Sequence, residues 1–203
     1  MKKNNAFQKF LKSMRFRLIL LCLIVGILPC LVLRAGFLKA YEDQAASTRS
    51  IAIISQAKIL ADQIAANDYI NKQNTESITV QLNQLSNIYD GRVMLIDSAF
   101  QIVADTYGLD ETKTIISEEV VQSLSGKEIS KYDKESRYLE MTLPIEAANS
   151  TEVIGVMLVS VSMDSVLHDR DAVGRNAAIL TLIIGVLILA FAIFALSIFV
   201  TYI

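Results

Sequence analysis

Hydrophobic and polar positions along this chain fall into three regimes. Sixteen residues from Leu18 to Leu33 form a first apolar run, and the last twenty-seven, Ala177 to Ile203, form a second with no charged side chain. In the second run only Thr181, Ser197, Thr201 and Tyr202 are clearly polar. As a helix it would be roughly 40 Å long against a hydrocarbon core of about 30 Å, so it is long enough to span a bilayer with tilt. The first run reaches Leu38 if Arg34 snorkels to the interface. Leu33-Arg34-Ala35 is a poor cleavage site, so this run reads as an uncleaved signal anchor. The pattern leaves open whether Pro29 kinks that helix or is absorbed by it.

The block between the runs changes period part-way. From Phe37 to about Tyr69 there is no Pro or Gly, and Ile53, Ile54, Ala57, Leu60, Ala61, Ile64 and Ala65 keep the spacing of one helical face. The spacing predicts a long amphipathic helix continuous with the first span. A second helix follows from about Thr75 to Ile88, with Ile78, Leu82 and Leu85 on one side. After Tyr89-Asp90-Gly91 the period becomes two: Arg92 to Asp97 and Phe100 to Asp105 read as a hairpin joined by Ser98-Ala99. Glu118 to Ser125 predicts a short helix closed by Gly126. Glu128 to Tyr132, Arg137 to Ile145 and Val153 to Met163 complete five strands. The last is apolar on both faces, as a central strand is, with the long helix expected on one side and the short helix with its loops on the other. Asp164 or Ser165 is expected to cap a helix that runs into the second span.

Charge separates the regimes as sharply as hydropathy. Lys2, Lys3, Lys9, Lys12, Arg15 and Arg17 precede Leu18 without an acid, which places the N-terminus in the cytoplasm and the middle block outside. The whole chain carries a net charge of −2, so everything after that tail is acidic, which argues against nucleic acid as a partner. Both cysteines, Cys22 and Cys30, lie in the first span, so no disulfide framework supports the block. The expected organisation is a cytoplasmic basic tail at 1–17, transmembrane helices at 18–38 and 176–203, and one extracytoplasmic domain at 39–175 in a two-pass cell-membrane protein.

The order of these elements carries a resemblance. It runs from a long helix leaving the membrane to a second helix and the hairpin G-R-V-M-L-I-D-S-A-F-Q-I-V-A-D-T (Gly91 to Thr106). A short helix ending S-G-K-E (Ser125 to Glu128) follows, then Y-L-E-M-T-L-P-I (Tyr138 to Ile145) and V-I-G-V-M-L-V-S-V-S-M-D (Val153 to Asp164). This resembles the extracytoplasmic PAS-like sensor region, of the PDC or single Cache type, of bacterial sensor histidine kinases. The resemblance implies an α+β fold, a five-stranded antiparallel sheet with a long N-terminal helix between two transmembrane helices, working as a homodimer. It also implies an input role, which chemoreceptors and diguanylate cyclases fill with the same module. The phosphoacceptor sequence and glycine-rich nucleotide lid of a kinase are not in this sequence, so the input role alone carries over. A membrane-anchored interaction protein that holds an envelope partner is the reading from a different class.

Candidate chemistry is sparse. No nucleophile with a partner base, metal-ligand spacing or phosphate loop is evident, so neither catalysis nor a cofactor is expected. His168, the sole histidine, reads as a solvated juxtamembrane residue. Polar residues at strand ends that could converge on a small ligand are Arg92, Asp105, Tyr107, Tyr132, Arg137 and Tyr138; arginine suits a carboxylate, aspartate an amine and tyrosine an aromatic wall. Taken singly, each reads first as an ordinary exposed edge or loop residue. Asp110, Glu111, Glu118 and Glu119 are a weaker candidate for divalent cations, because acids also favour a first helical turn. In the second span Ala177, Thr181 and Gly185 recur every four residues, a small-residue stripe suited to a dimer interface in the membrane.

Overall fold

The computed structural model describes residues 14–72 and 76–201. Most of the basic tail, the expected start of the second helix at Thr75, and Tyr202 and Ile203 lie outside the described residues. Helix α1 (Met14–Ala66) is followed by α2 (Tyr69–Lys72), α3 (Glu76–Tyr89), β1 (Gly91–Asp97), β2 (Ile102–Asp105) and α4 (Glu118–Leu124). Strands β3 (Ile129–Asp133), β4 (Tyr138–Glu146) and β5 (Val153–Ser162) precede α5 (Asp164–Thr201). The chain divides into two compact units: Asp43–Val166, and the described parts of Met1–Glu42 with Leu167–Ile203.

In the first unit five antiparallel strands are ordered β2-β1-β5-β4-β3. The doubly apolar β5 is central, as its sequence predicts, because alternate residues feed two separate cores. Met157, Val159 and Val161 join Val93, Leu95, Leu139, Met141, Leu143 and Ile145 beneath α1 and α3, where Ile53, Ala57, Leu60, Ile64, Ile78, Leu82 and Leu85 are buried. On the opposite face Val156 and Leu158 join Met94, Ile96, Ile102 and Val120 in a smaller cluster under α4. Each fully buried aliphatic side chain contributes about 1.5–3 kcal/mol of transfer free energy, so the α1/α3 face holds most of the stability.

The structure corrects local expectations. The hairpin loop is longer than Ser98-Ala99: β2 begins only at Ile102, and Phe100 takes a φ of 64°. The carboxylate of Asp97 supplies what a glycine turn would otherwise provide, accepting the backbone N–H groups of Ala99 and Gln101, both at 2.8 Å. Helix α1 stops at Ala66, short of Tyr69, because Asp68 enters the left-handed region at φ 51°. Asp164 is already helical rather than a cap, and its N–H reaches the Ser162 hydroxyl at 3.2 Å. The start of α4 follows the sequence: Ser117 caps Val120, and Gly126 takes a φ of 86° just past its end.

The second unit contains the apolar parts of α1 and α5. Both helices are long and apolar enough to cross a membrane. Pro29 lies inside α1 without interrupting it. A side chain at Gly26 would collide with Ile188, and one at Gly185 would sit 3.5 Å from Ile27, so small residues allow these helices to approach closely. Arg170 bonds Glu42 at 2.7 Å.

Candidate functional site

The face of the sheet under α4 is incompletely filled. Strand register explains why. Across β1, β5, β4 and β3, Met94, Leu158, Thr142 and Ile129 stand in one cross-strand row. Two residues along, Arg92, Ser160, Glu140 and Lys131 stand in the next. The first row is mainly apolar and the second entirely polar. A cavity of about 230 Å³ lies over both, lined by Arg92, Met94, Leu158, Ser160, Glu140, Thr142 and Ile129. Ile115 and Ser117, in the segment leading into α4, and Glu119, in its first turn, close it. This volume exceeds the roughly 150 Å³ that suffices for benzene in an apolar cavity, so a compact ligand fits.

The polar row is held from both ends. Arg92 donates through Nε to Asp105 at 2.8 Å and through Nη2 to the other Asp105 oxygen at 2.6 Å. The same Nη2 reaches Asp110 at 2.7 Å. The Asp105 side chain is fully buried and also accepts the N–H groups of Tyr107, Leu109 and Asp110. Arg92 therefore holds the Asp105 carboxyl well below its usual range, with the three backbone donors adding to the effect against burial. The guanidinium is raised in turn, chiefly by Asp105. At the other end Lys131 bonds Glu119 at 2.9 Å across the cavity wall, which lowers the glutamate and raises the lysine. The Thr142 hydroxyl donates to the Glu119 carbonyl at 3.4 Å, tying β4 to α4.

Three of the six strand-end candidates come together. Arg92, Asp105 and Tyr107 form one cluster, the guanidinium lying 5.8 Å from the Tyr107 ring centre. Of the six, Arg92 is the one that lines the cavity. Tyr132 packs instead against the core on the α1/α3 side. Arg137, at φ 60°, pairs with Asp164 at 3.5 Å, and the neighbouring Tyr138 is exposed. Among the four acids, Asp110 is engaged by Arg92 and Lys113, and Glu119 by Lys131. Among the described residues no three His, Cys, Asp or Glu side chains are grouped to hold a metal ion. In the small-residue stripe, Thr181 donates to the Ala177 carbonyl at 2.8 Å, and Gly185 faces Ile27 of the same chain.

Glu140, Ser160, Thr142 and Ser117 were not singled out by sequence. Their signal was present: Glu140 and Thr142 are polar positions two apart within Tyr-Leu-Glu-Met-Thr-Leu, and Ser160 is the lone polar position within Val-Met-Leu-Val-Ser-Val. Only strand pairing shows that they are neighbours.

No family model matches the sequence, and no curated protein matches it. Solved structures do match the fold. The sensor domain of DcuS from E. coli superposes with a TM-score of 0.52 at 15% identity, covering 62% of this chain and 96% of that one. The sheet unit has a PAS-like sensor-domain fold. An extracellular ligand-binding receptor from Desulfohalobium retbaense gives a TM-score of 0.51 at 13% identity, covering 66% of this chain and 26% of the receptor. The sensor domain of the histidine kinase DctB from V. cholerae superposes less closely, with a TM-score of 0.43 at 15% identity, 65% of this chain and 58% of that one being covered. In this sensor-domain fold the row from Arg92 to Lys131 lies on the sheet face opposite α1.

Proposed function

We propose that this chain is the signal-sensing input module of a transmembrane receptor, a histidine kinase, with its sheet unit outside the cell. The observation that carries this reading is the cavity of about 230 Å³ over a polar cross-strand row, in a sensor-type sheet whose chain has long apolar helices at both ends. A small molecule bound there would touch β1, β4 and β5 and the start of α4, and so would change how the sheet packs. In this reading Arg92 faces the ligand while Asp105 and Tyr107 position it. The basic residues before Leu18 support a cytoplasmic N-terminus. The chain would supply recognition, and catalysis would belong to the output domain.

Binding and output are tested separately. The full chain in lipid nanodiscs is screened by thermal shift against a library of amines, amino acids, carboxylates and sugars. At least one compound is expected to raise the melting temperature by several degrees, and Ser160→Leu, which fills the cavity, is expected to abolish that shift. A flat response across the library would overturn ligand sensing in favour of a membrane-anchored interaction protein. Joining the chain through Ile203 to the output half of a histidine kinase should make autophosphorylation respond to the same compound. An output indifferent to the bound ligand would remove the kinase assignment.

A further inference from the structure

The unit formed by the apolar helices holds a charge in its seam. Over residues 24–40 of α1 every side chain is exposed except Gly26, Ile27, Cys30, Arg34 and Leu38, which keep the three- and four-residue spacing of a packed helix face. That face meets α5. A side chain at Gly26 would strike Ile188, and one at Gly174 would lie 3.4 Å from Leu38 and 4.0 Å from Nη2 of Arg34. Arg34 is therefore a cation between two apolar helices, and exposed apolar side chains flank it at Leu33 and Phe37.

This cation is not satisfied by the protein. Its Nε is buried without a hydrogen-bond partner, and no ion pair involves Arg34 among the described residues. Farther from the apolar run, Glu42 and Asp171 are both bonded to Arg170, at 2.7 and 3.0 Å. A charge at the edge of a hydrocarbon layer needs a counter-charge, and these two carboxylates are engaged elsewhere. Deeper in the same seam lies an open, almost wholly apolar groove of about 470 Å³, with Cys22 and Val25 of α1 and Leu187 and Phe191 of α5 in its walls. Val25 precedes Arg34 by nine residues, roughly 14 Å of helix, which is within the reach of an acyl chain.

We infer that the seam between α1 and α5 binds one anionic phospholipid, its phosphate on the Arg34 guanidinium and an acyl chain in the groove. The planar fork of arginine matches a phosphate with two parallel hydrogen bonds. A zwitterionic headgroup brings its own cation and competes with Arg34, whereas an anionic one does not. Arg175, beside Gly174 in sequence, is exposed and adds to the positive field there. The inference rests on the membrane-spanning reading of the two helices and names a lipid as their bound partner.

Native mass spectrometry of the full chain, released from nanodiscs of equal parts phosphatidylglycerol and phosphatidylcholine, decides it. One phosphatidylglycerol is expected to stay bound, preferred about fivefold over phosphatidylcholine, the scale of one cation near a charged membrane surface. Arg34→Gln should erase the preference, and Arg34→Lys, which keeps the charge without the fork, should lower it partway. Cys22→Phe, which fills the groove, should reduce retained lipid of both kinds. Melting temperatures of the three variants in phosphatidylcholine nanodiscs, expected to match the parent, separate lost lipid from lost folding. A preference absent from the parent, or unchanged by Arg34→Gln, would overturn the site and leave the spans intact. Displacement of the lipid by inorganic phosphate would overturn the lipid assignment in favour of a free anion. Failure of the chain to insert into nanodiscs would overturn the spanning reading itself.

Discussion

The two faces of the sheet are made by the same strands and differ in almost everything else. Under α1 and α3, alternate residues of β1, β4 and β5 are uniformly aliphatic or Met and almost completely buried. Under α4, the intervening residues begin apolar at Val156 and Ile96 and turn polar at Arg92, Ser160 and Glu140. Period-two alternation lets one strand serve both purposes, because successive side chains never compete for the same face. One face can therefore be packed for stability while the other keeps space and unspent polarity for a ligand.

The sharpest way to break this contrast is to make a cavity on the packed face. Leu143→Ala is expected to cost about 2–5 kcal/mol, read as a lower denaturation midpoint, since Leu143 is 1% exposed among close neighbours. A loss under 1 kcal/mol would mean that the packed face can collapse and is not the stability centre.

Next comes the cluster that holds the polar row. Asp105→Asn removes the buried charge opposite Arg92 and should cost about 2 kcal/mol at neutral pH. Because the folded state depresses the Asp105 pKa, its contribution is complete above the ordinary carboxylate range and is lost as pH falls through and below that range. Denaturation midpoints from pH 7 to pH 2 should fall more steeply for the parent chain than for Asp105→Asn. Equal slopes would show that the cluster is not coupled to folding.

A smaller effect is expected from filling the other face. Ser160→Val adds aliphatic volume where the cavity leaves space and should change stability by less than about 1 kcal/mol in either direction, while removing ligand response. A larger loss would show that the cavity wall is packed in earnest. Smallest of all is Lys58→Ala, which removes a half-exposed ion pair to Glu128. Thermal unfolding should register about 0.3 kcal/mol or less.

Much of this was legible in the sequence because local period decides it. Ile53 to Ala65 and Ile78 to Leu85 declared their buried helical faces, and the double apolarity of β5 placed it at the centre. The hairpin turn was misjudged because a side chain, Asp97, replaces the glycine that turn patterns lead one to expect. The cavity was not legible for a different reason. Arg92 and Glu140 are forty-eight positions apart, and their meeting across Ser160 depends on the register of three strands, which no single stretch encodes. Asp105 and Tyr107 drew attention through residue type, but their fixed geometry arises from loop N–H groups that any residue could supply.

Strand β3 shows what that register implies for changes in chain length. Its even positions and flanks, Ser130 with Glu128 and Lys134, meet Ser50, Lys58 and Asp43 along α1. Its odd positions, Ile129 and Lys131, serve the opposite face. Adding or deleting one residue between β3 and β4 would exchange these two sets, turning Lys131 into the helix seam and Ser130 toward the cavity. Insertions of two residues would preserve the assignment. Tolerance at the 134–137 turn should thus follow the parity of an insertion more than its size, and homologous chains should vary there in steps of two.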